Sequence, residues 1–331
     1  MSNSTWEIDL VNSLNLLSHQ LNRYLSIPIL VFGTIGNILN CLALSQHTLR
    51  LNPCSFIFLA SSIASLITLI SGVAVRLLAG WSLDLTNTIG WLCKFRIFIL
   101  FTFRTIASWS IMLATFDRWL SSSTNMYYRQ LCSIKNAQRS LILIILISSL
   151  AYLQIFYCYD ANLIDMPVQC YGKTVWCRLF IDIEFASISI LIPSILMYVF
   201  GFMTIINIRH VVFRQIQPEL MINSPSIEHR VRRWRKIDHQ LFAMLIVQVV
   251  LMTLFSLPQT IQSLYLNVKR FQLKTPVENA LNSFLLNLFF LLTYITNGMP
   301  FYIYTLTGGE VFRQALVHSV KDLFEKIKCR I

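Results

Sequence analysis

The chain has 331 residues, of which 55% are hydrophobic and only 13% are charged. Soluble domains usually carry about 25% charged residues, so this composition excludes an ordinary soluble enzyme. Gly and Pro number only 10 and 9, and the mean hydropathy is +0.61, which excludes collagen-like, disordered and low-complexity chains. Crossing a bilayer takes about 20 mostly apolar residues, and several runs are that long. The composition therefore indicates a multi-pass membrane protein.

The net charge of +12 does not indicate nucleic-acid binding, because the basic residues stand in short segments between apolar runs. Residues 230–236 form one such segment. A nucleic-acid-binding protein would instead carry its basic and aromatic residues together on a soluble domain. We therefore expect membrane lipid, and no nucleic acid, around this chain.

Seven apolar runs predict an all-α membrane protein, a seven-transmembrane helix bundle. Residues 1–23 are predicted to form an N-terminal tail, and residues 24–306 to form the bundle. Residues 307–331 carry apolar side chains at helical spacing, which predicts a C-terminal amphipathic helix on the membrane surface and a short tail. The predicted spans one to seven are 24–44, 53–78, 93–120, 141–159, 179–208, 241–266 and 280–306.

The distribution of basic residues predicts the orientation of the bundle. The side that holds the loops after spans one, three and five, the C-terminal segment and Arg118 at the end of span three carries 17 of the 27 Lys and Arg residues. The positive-inside rule places this side in the cytosol, so the N-terminus lies outside the cell. A glycosylation sequon at Asn3 agrees with that orientation. Cys329, near the other terminus, is a candidate for palmitoylation.

Span three carries the pattern that is most informative about function. Cys93 opens the span, Asp117-Arg118-Trp119 closes it, and the 25 residues from Cys93 to Arg118 cover about 37 Å of helix. The cysteine and the arginine therefore lie at opposite membrane surfaces. A cysteine and an Asp-Arg-aromatic triplet at this spacing resemble the rhodopsin-like (class A) G-protein-coupled receptors. The resemblance implies a plasma-membrane receptor that binds an extracellular ligand and activates a heterotrimeric G protein.

At the cytosolic surface, the resemblance implies that Asp117, Arg118 and Trp119 take part in G-protein coupling. A buried Arg118 needs a partner, and Asp117 and Asp238 are the two candidates. Asp238 stands 20 residues before Pro258, the position of an acidic residue that locks the family's resting state. Alternatively, Asp238 only balances the basic segment beside it. A pair between Arg118 and Asp238 would close the bundle, and its release would open a cleft for the G protein.

Three further residues match positions of the family. Pro193 and Pro258 each remove a backbone hydrogen bond within spans five and six and predict helix kinks there. Asn37 is a polar residue in the middle of span one, which predicts a hydrogen bond to another helix.

Other positions depart from the family. Asn297, Pro300 and Tyr304 hold the parts of the family's Asn-Pro-x-x-Tyr motif in span seven, but at a displaced spacing. Ser256 stands where the family has a tryptophan, and Ile63 where it has a sodium-coordinating aspartate. The degenerate span seven resembles that of invertebrate neuropeptide receptors, including the FMRFamide-like group.

The resemblance also implies a disulfide between Cys93 and the loop after span four. Cys170 and Cys177 are both candidates in that loop. We prefer Cys170, because it leaves more chain between the bond and span five. The alternative is a local bond between Cys170 and Cys177, which would leave Cys93 reduced.

The predicted ligand-binding residues lie in the extracellular half of span three. Leu100 takes the position of the aspartate that binds amines in the family, which argues against an amine ligand. Arg96 and Arg104 are cations within the span, and an intramembrane cation indicates function by default. We expect Arg104 to contact an acidic group of a peptide ligand. The alternative is a structural ion pair with Asp182 or Glu184 at the start of span five.

No cofactor and no metal are expected. Span seven has no lysine for a retinal Schiff base, and no histidine within the spans offers a haem ligand. No nucleophile triad or metal-ligand cluster indicates an enzyme. The rival class is a transporter or channel, which would show an inverted repeat and paired ionisable residues at mid-membrane. The sequence shows neither clearly.

Overall fold

The computed structural model describes residues 2–46, 49, 51–81, 83–163, 170–215, 225–269, 275–307, 312–314, 316–318 and 321, without the side chains of 2–5, 209–215, 225–244, 267–268 and 307. Within these residues, seven helices are long and apolar enough to cross a membrane, which confirms the predicted all-α bundle. These seven helices are called spans one to seven below. They are Trp6–Leu44, Pro53–Gly80, Gly90–Ser122, Ile134–Cys158, Val175–Ile208, Leu245–Leu266 and Pro276–Gly298.

Several spans combine α-helical and π-helical segments. Residues 2–23, expected to be a tail, are helical and continue into span one. Span one lies within Ser2–Gln20, the π-helical Leu21–Leu25 and Ser26–Leu44. Span two is formed by Pro53–Leu69, the π-helical Ile70–Ala74 and Val75–Gly80. Span four comprises Ile134–Ala151 and Ile155–Cys158. Span five lies within Val175–Glu184, the π-helical Phe185–Leu191 and Ile192–Gln215. Span six lies within the helix Pro225–Val268.

Short elements join the spans. They are the 3₁₀ turn Leu85–Asn87, the helix Met126–Leu131, and the antiparallel strands Tyr159–Asp160 and Tyr171–Gly172. After span seven, the helix Pro300–Thr307 follows. The described residues of the predicted amphipathic segment, 312–314, 316–318 and 321, are helical, and Phe312 is buried.

The helices begin where the sequence supplies caps. Asn52 accepts a hydrogen bond from the Cys54 amide, with Pro53 as the first helical residue of span two. Thr275 accepts one from the Glu278 amide at the start of span seven, again before a proline. Capping side chains satisfy amides that have no helical acceptor, and proline has no amide to satisfy.

The distribution of polar side chains is that of a membrane protein. Span four presents Ile142, Leu146 and Leu150 at the surface, while Ser61 and Ser62 of span two are buried in the interior. In water this arrangement would be unfavourable, because apolar side chains gain free energy by burial. In lipid it is favourable, since apolar residues then contact hydrocarbon and polar residues bind one another.

The π-helical segment before Pro193 shapes the contact between spans three and five. Proline lacks the amide that would bond the carbonyl four residues earlier, which is that of Ser189. Ser108 donates to this carbonyl at 2.8 Å, and the Trp109 indole donates to the Ile188 carbonyl at 2.8 Å. The carbonyls that the proline and the π-turn release are therefore satisfied from span three.

Spans one and seven approach closely. Asn37 Nδ2 donates to the backbone oxygen of Asn297 at 2.8 Å, so this predicted polar residue bridges the two helices. A Cβ added to Gly298 would lie only 3.0 Å from the Cα of Gly33. The small side chains of these glycines allow the backbones to meet, as in other membrane helix pairs.

We expect Gly298→Ala to destabilise the bundle by about 1–3 kcal/mol, because the added methyl group would overpack against backbone rather than against a movable side chain. Gly201→Ala is the matched control, since a Cβ at that helical glycine meets nothing within 4 Å. Thermal unfolding of the two purified variants in detergent measures the difference. Equal midpoints for both variants would contradict the close approach of spans one and seven.

Candidate functional site

Span three connects the two candidate sites of the bundle. It is a single helix of 33 residues, or about 50 Å. Cys93 lies near its start and Arg118 near its end. We call the end of the bundle near Cys93 the disulfide end and the opposite one the Arg118 end.

Two disulfides stand at the disulfide end. Cys93 is bonded to Cys170, the preferred pairing, with a Cα–Cα distance of 5.7 Å. Cys158 is bonded to Cys177 with a Cα–Cα distance of 5.4 Å. The alternative pairing of Cys170 with Cys177 was therefore wrong. Sequence reasoning missed the second bond because Cys158 ends an apolar run and is indistinguishable there from a small buried hydrophobe.

Charged groups hold the strand pair beside these disulfides. The Asp160 carboxylate lies 3.1 Å from Lys173 Nζ and 3.9 Å from Lys94 Nζ. The hydrogen bond from Lys173 is the main reason that the pKa of Asp160 is below its ordinary value. Burial, followed by the nearby Asp182 carboxylate, raises the pKa of Tyr159 well above its usual range. Asp182 therefore belongs to the surroundings of Tyr159.

Arg104 is buried in the interior with only 8% of its surface exposed. Its Nη2 donates to Gln259 Oε1 at 2.8 Å, and its guanidinium lies 4.8 Å from the ring centre of Phe185 and 5.7 Å from that of Tyr294. Ring faces and a neutral amide thus stabilise this cation. The alternative of an ion pair with Asp182 or Glu184 does not appear in its contacts. Glu184 accepts a hydrogen bond from Gln154 instead.

A small polar cavity adjoins Arg104. Its volume is about 30 Å³, and Ser65, Ser108 and Asn297 are among the residues that line it. A buried water needs about 10–15 Å³ of such space, so there is room for about two waters. This cavity does not admit a ligand group in the present conformation. The contact between Arg104 and an acidic ligand therefore stays a prediction. Leu100 lies elsewhere, in the apolar cluster at the disulfide end.

Arg96 contacts a different set of groups. Its Nε donates to the Ser71 carbonyl at 3.2 Å and its Nη1 to Thr86 Oγ1 at 2.8 Å. Asp84 Oδ2 lies 3.9 Å from the same Nη1. Arg96 and Arg104 therefore do not form one site, although both were predicted to bind the ligand.

At the other end, Arg118 is buried with 4% of its surface exposed. Its Nη2 lies 3.0 Å from Asp117 Oδ2 and 3.4 Å from Asn52 Oδ1. The Cys132 thiol donates to Asp117 Oδ1 at 3.0 Å, and burial, followed by the Asp117 charge, raises the pKa of that thiol. Cys132 therefore stays protonated at neutral pH and remains a donor. Sequence reasoning missed it because only the tertiary fold brings it to Asp117.

The third residue of the triplet packs rather than binding a charge. The Trp119 ring lies 5.6 Å from the ring centres of both Tyr128 and Phe200. It thereby joins span three to the following loop helix and to span five. The side chains of Asp238, the predicted partner, and of Asn3 are not among those that the structure describes. The Arg118–Asp238 pair therefore stays a prediction. Cys329 lies entirely outside the described residues.

The displaced motif of span seven forms a helix break and a buried tyrosine. Span seven ends at Gly298, and a new helix starts at Pro300, which needs no amide donor there. Tyr304 is fully buried, and its hydroxyl donates to Gln248 Oε1 of span six at 2.8 Å. Its ring lies 4.9 Å from that of Phe58. Tyr304 therefore joins the helix that follows span seven to spans two and six.

Span two corrects one alignment with the family. Ile63, aligned with the sodium-coordinating aspartate, is 46% exposed on the surface of the bundle. The buried polar residues of span two are Ser55, Ser61, Ser62, Ser65 and Thr68. Ser61 donates to the Ala107 carbonyl, and Ser62 accepts from Asn40. The position that faces the interior is thus not Ile63.

We expect peptide mapping under non-reducing conditions to recover two linked pairs, Cys93 with Cys170 and Cys158 with Cys177. Four cysteines allow three connectivities, so the experiment discriminates among all of them. Recovery of Cys170 linked to Cys177 would contradict the arrangement at the disulfide end.

We expect Gln259→Leu to lower the free energy of unfolding by about 1–3 kcal/mol, because the buried Arg104 loses its acceptor. Adding Arg104→Met should restore much of the loss, since no unsatisfied cation then remains. Gln262→Leu is the matched control: this buried glutamine of span six donates to Asn282, a neutral partner, at 3.2 Å. Thermal unfolding of the single and double variants gives the coupling energy. A loss from Gln259→Leu that Arg104→Met does not reduce would refute this role of Gln259.

Comparison with known proteins does not extend these observations. No protein-family model and no curated protein matches the sequence of this chain. A function for this multi-pass bundle has to be inferred from its own residues and their geometry.

Proposed function

We propose that the chain is a rhodopsin-like G-protein-coupled receptor of the plasma membrane, with its disulfide end extracellular and its Arg118 end cytoplasmic. The observation that carries the proposal is the buried Asp117–Arg118 pair at one end of a single helix whose other end holds the Cys93–Cys170 disulfide. A buried ion pair is weak evidence for stability alone, because desolvation offsets most of its attraction. Its placement at a helix end is more simply explained by a switch.

The contacts around Arg118 support a resting state in this proposal. One oxygen of the Asp117 carboxylate contacts the Arg118 guanidinium, and the other accepts a hydrogen bond from the Cys132 thiol. On the neighbouring helices, the Tyr304 hydroxyl joins the helix that follows span seven to Gln248 of span six. Activation would separate span six from these groups and expose Arg118 to a helix of the G protein. A ligand achieves this only by binding the open form more tightly than the closed one.

The ligand in this proposal is extracellular and is a peptide with an acidic group. Cations at the disulfide end, and the absence of an acid at Leu100, favour an acidic partner over an amine. The two disulfides fix the loop that would surround the peptide.

A peptide library screened in cells that express a promiscuous G protein, with calcium release as the readout, should yield an agonist. With that agonist, Arg118→Ala should abolish the calcium signal while leaving surface delivery and ligand binding near normal. The reason is that Arg118 lies at the coupling end, far from the ligand. Arg139→Ala is the matched control, since Arg139 is an exposed arginine at the same end of the bundle.

Full signalling by Arg118→Ala would count against the receptor itself and not only against one residue. Substrate uptake or ion current in reconstituted vesicles, without any G-protein signal, would favour the transporter or channel class instead.

A further inference from the structure

A second, larger cavity lies at the disulfide end, between the first half of span one and spans two, three and seven. Its volume is about 360 Å³. Ligand pockets in proteins usually measure about 300–1,000 Å³, so a small ligand or one end of a peptide fits. The cavity beside Arg104, of about 30 Å³, does not reach this range. Polar groups that line the larger cavity include Asn22, Arg76, Asp84, Arg96, Ser283 and Asn287.

Arg76 is held in this cavity by neutral groups. Its Nη1 donates to Asn287 Oδ1 at 3.0 Å and to Asn22 Oδ1 at 3.5 Å. The Phe290 ring lies 4.5 Å from the guanidinium carbon. Asn287 in turn donates to Ser18 Oγ at 2.8 Å, which fixes its amide with the oxygen toward Arg76.

The donor capacity of Arg76 is not fully used. Its Nε is buried and has no hydrogen-bond partner among the residues that the structure describes. Within those same residues, no carboxylate lies within 4.0 Å of its guanidinium. Arg76 as a whole is half-buried. A cation partly removed from water and without an opposite charge loses solvation, which a bound anion would restore.

The other charges of the cavity do not compensate Arg76. Arg96 and Asp84 lie 3.9 Å apart and largely cancel each other. Among the described Lys, Arg, Asp and Glu residues that line the cavity, two arginines and one aspartate leave one positive charge, and it belongs to Arg76; His19 also lines the cavity and adds no negative charge. The Phe290 ring packs near the guanidinium of Arg76, and neutral acceptors occupy only its Nη1. This arrangement suits a contact between the guanidinium and a planar anion that lies in its plane.

We propose that this cavity binds a carboxylate and that Arg76 is its anion contact, with Asn287 holding the guanidinium in place. A free organic acid and the C-terminus of a peptide share this chemistry. That the occupant is the receptor's agonist rests on the proposed function, whereas the binding itself needs only the cavity.

The test is thermal unfolding of the purified full-length chain in lipid nanodiscs, without any G protein. Succinate and its neutral diamide represent the organic acid, and a dipeptide with a free or an amidated C-terminus represents the peptide. A ligand that binds only the folded state raises the unfolding midpoint. We expect at least one acid to raise the midpoint and its amide not to do so. The acid that acts identifies the source of the carboxylate.

Arg76→Gln should weaken the apparent affinity for the acid by about ten- to a hundredfold, the worth of a charge-assisted hydrogen bond. Ser283→Trp fills the cavity without changing Arg76 and should have the same effect, which guards against a folding defect of the first variant. Lys94→Gln is the matched control: it removes a cation of the same end that pairs with Asp160 outside the cavity. It should leave the affinity unchanged.

Equal shifts with acid and amide, no shift with either acid, or an undiminished shift in Arg76→Gln would each overturn the proposal. A shift that persists in Arg76→Gln but is lost in Arg104→Gln would place the anion site on span three instead. Because this readout needs no coupling, its failure is distinct from a lost calcium signal, which tests the receptor function.

Discussion

The bundle depends on one constraint, which is that polar groups buried among membrane helices must find their partners within the protein. An unsatisfied amide, carbonyl or charge in an apolar medium costs several kcal/mol. The carbonyl that Pro193 leaves without a donor is therefore met by Ser108 from span three. The Asn37 amide meets the carbonyl of Asn297 from span seven in the same way. These contacts fix which helices are neighbours, whereas apolar packing against lipid does not distinguish among faces.

The same constraint separates the cations of the bundle by the partners they have. Arg104 is satisfied by Gln259 and by aromatic rings, which makes it part of the interior packing. Arg118 lies against a carboxylate, and that carboxylate also binds the Cys132 thiol. Arg76 has neutral partners and borders a cavity with room for a ligand. An intramembrane arginine is thus not a sufficient sign of a ligand site; its partners and the adjacent free volume decide its role.

The two ends of the bundle are built differently, which is compatible with the proposed receptor function. At the disulfide end, two covalent bonds and the ion pairs of Asp160 restrict the loop between spans four and five. At the Arg118 end, the contacts described are hydrogen bonds, one ion pair and ring packing. Noncovalent contacts of this kind can exchange partners during a conformational change, whereas disulfides cannot do so on that timescale.

The sequence by itself determined the class of the molecule and its seven spans, because span length and charge spacing are one-dimensional properties. The Cys93–Cys170 bond was only the preferred one of the pairings that the family resemblance left open, and the tertiary structure decided it. The sequence also indicated Asn37 as an interhelical donor, since an amide within a span needs a partner. Only the tertiary structure decided which partner each polar group has. Gln259 stands beside Arg104, Cys132 beside Asp117 and Cys177 beside Cys158 because helix rotation and loop path bring distant residues together. Ile63 shows the same limit, since a motif fixes a position along the chain but not the direction in which its side chain points.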